Sequence, residues 1–142
     1  MSIRKAEAVW EGDLVGGKGT MKTESGALAG AYSFRTRMED EAGTNPEELI
    51  GAAHAGCFSM ALAAGLAKAG HRPERIHTEA EVHFGKVGEG FKITSIHLRT
   101  RGLVPGLGEA DFVKHAEDAK RNCPVSQALA GTRIELDAAL ER

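Results

Sequence analysis

Between Leu49 and Ala67 only two side chains, His54 and Ser59, are neither apolar nor glycine if the thiol of Cys57 is counted as apolar. The run is well punctuated at its start. Asn45 is a helix cap, Pro46 suits the first helical position, where no N–H is needed, and Glu48 is placed to reach back and close a capping box. These signals predict one long helix from Pro46 to about Gly70. A helix with no solvated stripe is a buried one, so the remaining chain is expected to pack around it. The run is also long enough for a membrane span. Its alanines and glycines give little transfer free energy, however, and two acids stand at its start. The expectation is a tightly surrounded core helix and no membrane partner.

At 142 residues the chain is read as a single domain, residues 1–142, able to build a core without disulfide staples. Its formal charge is −2 and its basic residues are scattered, which is not the footprint of a nucleic-acid binder. The N-terminal MSIRKAEAVW lacks the apolar core of a signal peptide. Cys57 and Cys123 are too few and too far apart for a secreted disulfide framework. A cytoplasmic location follows as the expectation, with the cysteines catalytic or inert rather than structural.

Patterning predicts strands over 3–10, 20–24 and 31–34 in an antiparallel meander, with the acidic segment 38–45 as the loop into the central helix. Ile76 to Phe84 and Phe91 to Arg101 read as a hairpin joined by a loop over 85–90. Phe112, Val113, Ala116 and Ala119 fall at helical spacing, Pro124 starts a short helix that Gly131 stops, and Arg133 to Ala139 alternates as a last strand. The fold class is α+β. Phe34, Phe58, Met60 and Phe112 are expected in the core.

Thiol reactivity follows the thiolate fraction, which rises near a cation or a helix N-terminus. By that rule Cys123, immediately before Pro124, is the better placed, while Cys57 inside an apolar helix has a raised pKa unless a charge is brought to it. Free cysteine is also among the most buried residue types, so either thiol taken alone reads first as a small hydrophobe. His54 lies three residues before Cys57 and shares its helix face, where it reads as a hydrogen-bonded core residue.

The stretch GTNPEELIGAAHAGCFSMAL, from Gly43 to Leu62, resembles the signature of the OsmC/Ohr family of thiol-dependent organic hydroperoxide peroxidases, and its OsmC branch most of all. WEGD (Trp10 to Asp13), GKGT (Gly17 to Thr20), TESG (Thr23 to Gly26), TRME (Thr36 to Glu39), VPG (Val104 to Gly106) and CPVSQAL (Cys123 to Leu129) extend the similarity over nearly the whole chain. The resemblance implies an interlocked homodimer with strands wrapped around paired central helices. It implies a peroxidatic Cys57, a resolving Cys123, and a Cys57–Cys123 disulfide reduced by an external dithiol, of lipoyl type in this family. It also implies protection against oxidative and osmotic stress, with no metal and no cofactor. Arg37 maps to the family's arginine, with Arg35 a nearby rival, and Glu47 to the glutamate that orients it. A guanidinium there stabilises both the thiolate and the leaving oxygen. In a straight helix Glu47 and Cys57 stand about 15 Å apart, so Glu47 acts through the reach of Arg37, across a dimer interface, or through a break near Gly51. Two further readings stay open. One is a metal site using His54, Cys57, His115 and Cys123, which lacks the close spacing of common zinc sites. The other is a dimeric small-molecule-binding module with inert cysteines.

Overall fold

In the computed structural model, which describes residues 2–141, the chain forms two compact units, one reaching to Leu49 and the other running from Ile50. The first holds the meander: β1 (Ala6–Glu11), β2 (Lys18–Thr23) and β3 (Ala29–Tyr32), both pairings antiparallel. Trp10 packs on Tyr32 with ring centroids 5.4 Å apart.

Where a strand is expected through Phe34, the backbone instead turns into a short helix, α1 (Phe34–Met38). The cause is local. Ser33 Oγ accepts from the Thr36 N–H at 3.2 Å while the Ser33 N–H donates to Thr36 Oγ1 at 2.8 Å, a reciprocal box that satisfies donors a strand would leave free. Arg37 therefore projects from a helix and not from a strand.

The long helix α2 (Pro46–Lys68) begins as the punctuation predicts, with Asn45 Oδ1 accepting from the Glu48 N–H at 2.7 Å. Glu48 does not close the box. Its carboxylate accepts from Thr44 Oγ1 at 2.8 Å. At the other end the His71 N–H returns to Leu66 O at 2.8 Å, and Gly70 stops the helix. The unit boundary falls within α2, after its first turn, and the helix is continuous through Gly51.

The second unit sets α2, α3 (Glu109–Asn122) and α4 (Pro124–Ala128) with a mixed sheet of β4 (Arg75–Val87), β5 (Gly90–Leu103) and β6 (Arg133–Leu140). β4 and β5 pair antiparallel, and β6 lies parallel to β5. The hairpin turn is tighter than the expected loop over 85–90, since Val87 pairs with Gly90 and Gly88 takes the left-handed conformation (φ +63°) that the two-residue turn needs. The core joins Phe58, Leu62 and Leu66 of α2 to Ile96 and Leu98 of β5 and Phe112 and Ala116 of α3. Burial of each large side chain contributes about 1.5–3 kcal/mol. Gly102 is required by close approach, because a Cβ there would lie 2.4 Å from the Phe112 ring.

The expectation that α2 is buried on every side does not hold for one chain. His54, Phe58, Leu62 and Leu66 form a buried stripe, whereas Ala52, Ala53, Gly56, Ala64 and Ala67 are exposed, and Met60, expected in the core, is 76% exposed. A four-residue spacing matches one packed face, and a single chain covers only that face. Phe58 and Phe112 are fully buried and Phe34 partly so.

Candidate active site

In the first unit Arg37 and Glu47 meet. Arg37 Nε donates to Glu47 Oε1 at 2.7 Å and Nη2 to Oε2 at 3.0 Å, the two-pronged geometry that fixes a guanidinium plane. The Glu47 side chain is only 10% exposed, so the contact is largely shielded from water. It forms within one chain and without a break in α2. Asn45 braces the same corner, its Nδ2 donating to Thr36 O at 3.1 Å. Arg35 differs in kind: it is exposed and loosely paired with Glu39 and Glu41, at 3.5 and 3.7 Å. A groove of about 370 Å³ along β1 to β3 and α1 holds neither a thiol nor Arg37.

In the second unit Cys57 and Cys123 are both free thiols and lie near enough to each other to couple electrostatically. α2 carries Cys57, partly exposed, and the junction of α3 and α4 carries Cys123, fully buried. Burial pushes the Cys57 thiol up, and the Cys123 sulfur adds to the rise against a smaller pull from the Val125 backbone. Burial pushes Cys123 up too. Polar contacts from Cys57, from the Ser126 amide and hydroxyl, and from the Val125 amide outweigh it and hold that thiol below its ordinary value. Of the two thiols, Cys123 is therefore the one that gives up its proton first.

The helix-end rule for Cys123 is incomplete, because the residue that starts α4 also ends α3, its own N–H donating to Ala119 O. Opposed dipoles meet there. Cys123 makes no cap hydrogen bond of good geometry, so the contacts from Ser126 and Val125 are looser electrostatic ones.

Ser126 is the residue that sequence reasoning missed. It stands three residues after Cys123, where an amide and a hydroxyl both turn toward the capping residue, and that spacing is the signal that could have found it. Its Oγ also shares a 2.7 Å hydrogen bond with Nε2 of the fully buried His54. Burial lowers the His54 pKa, so the ring is neutral, and Nδ1 has no partner among the described residues. An Nδ1 carrying hydrogen would bury an unmade donor, so the favoured tautomer protonates Nε2 and donates to Ser126. Ser126 is then free to donate to Cys123.

The metal reading using His54, Cys57, His115 and Cys123 is not supported by this arrangement. His115 lies beside Gly65, eight residues beyond Cys57 on α2 and so about 12 Å farther along it.

The family of OsmC-like proteins matches residues 39–137. The chain is 52% identical to peroxiredoxin OsmC of Escherichia coli (strain K12) over 139 residues, covering 97% of this chain and 96% of that protein. It is 33% identical over 90 residues to the organic hydroperoxide resistance protein of Xanthomonas axonopodis pv. citri (strain 306), covering 63% of this chain and 61% of that one. Its fold is similar to that of the organic hydroperoxide resistance protein OhrB of Bacillus subtilis, with a TM-score of 0.73, 24% identity, and coverage of 96% and 98% of the two chains.

Proposed function

The chain belongs to the family of OsmC-like proteins, and from that membership we propose that it is a thiol-dependent peroxidase that reduces organic hydroperoxides to alcohols and protects against oxidative stress. The observation that carries the reading is the contact between two free thiols at residues 57 and 123, brought together from distant stretches of the sequence.

Attack requires the thiolate of Cys57, whose proton passes to the Cys123 sulfur, the thiol that ionises more readily and so starts as the thiolate. The Cys57 thiolate then displaces at the terminal oxygen of the hydroperoxide, the O–O bond breaks, and the departing alkoxide takes the proton held on Cys123 to leave as the alcohol, which restores the Cys123 thiolate. Cys57 is left as a sulfenic acid. The Cys123 thiolate attacks that sulfur, the S–O bond breaks, and hydroxide leaves and is protonated to water as the disulfide forms. An external dithiol reduces the disulfide by exchange. Arg37, held flat by Glu47, supplies the fixed positive charge that favours the Cys57 thiolate and the developing alkoxide.

Homodimerisation is included in the proposal. The uncovered apolar stripe of α2, with Met60 at its centre, supports it, and so does the small-residue composition that lets a second helix approach closely. The whole chain works as one domain in the cytoplasm, where disulfides are kept reduced and a dithiol is at hand.

Intact mass before and after one equivalent of cumene hydroperoxide tests the chemistry. Loss of two hydrogens per chain, reversed by dithiol, is expected. An unchanged mass with both thiols still titratable would mean inert cysteines.

A further inference from the structure

The solvent-facing side of the second sheet carries a group of side chains that the thiol chemistry does not use. On β4, Glu81 and His83 are two residues apart and share that face. Across the β4–β5 pairing Glu81 stands opposite His97, and across the β5–β6 pairing His97 stands opposite Glu135. The other face of the same strands carries core residues such as Val82, Ile96 and Ile134. One donor atom each from Glu81, His83 and His97 lie within 4.8 Å of one another. His83 Nε2 is 3.6 Å from Glu81 Oε1, and His97 Nε2 is 3.0 Å from Glu135 Oε2.

We propose that Glu81, His83 and His97, with Glu135 as a fourth donor, form a surface site for zinc or a similar divalent transition-metal ion. Two imidazoles and a carboxylate are a zinc donor set, whereas calcium and magnesium want oxygen alone. Bonds of about 2.0–2.2 Å require donors a few ångströms apart, as those of Glu81, His83 and His97 already are, with Glu135 beside His97.

The surroundings favour the site. Arg99 bonds Glu81 through Oε2, leaving Oε1 on the side of His83. Arg133 Nε bonds Glu135 Oε1 at 3.1 Å, leaving Oε2 on the side of His97. Each carboxylate is thus turned by an arginine on its far oxygen, which is how outer groups orient metal ligands. The pairing register shifts between His83 and Phe84, and such an irregularity re-aims a side chain. The two imidazole centroids are 4.5 Å apart, so both rings reach one ion from adjacent directions. The donors are 31–47% exposed, which gives the ion an open entry and leaves room for water as a further ligand. An ion there would join β4, β5 and β6.

Zinc chloride titrated calorimetrically into the reduced full-length protein at pH 7.5 tests the site, with Cys57→Ser/Cys123→Ser and His83→Gln/His97→Gln double variants beside it, because thiols also bind zinc. The expected result is one zinc per chain, kept in the cysteine variant and weakened at least about tenfold in the histidine variant. Zinc should also raise the melting temperature of the cysteine variant, and the histidine variant should melt normally without metal but gain nothing from it. Binding lost in the cysteine variant and kept in the histidine variant, or no binding in any form, would overturn the proposal.

Discussion

Glu47 grips Arg37 from ten residues away with two hydrogen bonds, at 2.7 and 3.0 Å, that leave the guanidinium no freedom to rotate. The acid sits in the first turn of α2 and the base on α1. Arg37→Ala should therefore slow peroxide reduction about a hundredfold, the scale of one preorganised charge contact, while Arg35→Ala changes it little. Glu47→Gln should fall between them, since the plane is then held by weaker bonds. Single-turnover rates decide this, and equal losses at Arg35 and Arg37 would refute the assignment.

The two cysteines should fail differently. Cys57→Ser is expected to abolish even the first turnover, because a serine hydroxyl is not ionised near neutral pH. Cys123→Ser should consume one peroxide per chain and stop at a sulfenic acid that dimedone traps. A burst in Cys57→Ser and none in Cys123→Ser would reverse the roles.

Titration of the reduced pair should show a split. With Cys123 held low by the bonds it accepts and Cys57 pushed up by burial, thiolate absorbance at 240 nm should rise in two separated steps. Ser126→Ala removes a donor to the Cys123 sulfur and should move the first step to higher pH. A single step, unmoved by Ser126→Ala, would contradict the hydrogen-bond pattern.

His54 makes folding pH-dependent in a defined window. Its folded pKa lies below the ordinary 6.5, so the unfolded chain binds a proton more readily there. The contribution is complete above about pH 6.5 and is lost as pH falls toward the depressed value. Urea midpoints from pH 7.5 to 5 should fall, and His54→Gln should flatten the slope. An identical slope in the variant would rule the histidine out as its source.

Replacing Met60 with Glu should break the dimer, since the side chain is 76% exposed in a single chain and stands among small residues. Sedimentation should show wild type as a dimer at micromolar concentration and the variant as a monomer. A monomeric wild type would overturn the proposed assembly.

Much of this arrangement was legible in the residues. Asn45 and Pro46 mark the start of α2, and alternation from Arg133 marks β6, because caps and period-two patterns act over a few residues. α1 was hidden by aromatic and β-prone neighbours that mask the Ser33–Thr36 box. The bare side of α2 was illegible for another reason: an apolar face records that something covers it, not what does. Arg37 and Glu47 came from resemblance, and no helix-spacing rule would have paired a residue of α1 with one at the start of α2. Ser126 needed three dimensions, since its partner His54 is on another helix.

Gly102 gives the Cys123 sulfur a depth gauge. α3 rests its Phe112 ring on bare backbone there, and the far end of the same helix, about 16 Å on, delivers Cys123. A methyl group at 102 would wedge the near end outward and tilt the far one. The lever would draw Cys123 away from Cys57, which stays in place on its own helix. With Cys57 attacking and Cys123 resolving, as proposed, such an enzyme would be expected to strike its substrate at full speed and then stall with its first cysteine oxidised, a block set by a glycine remote from either thiol.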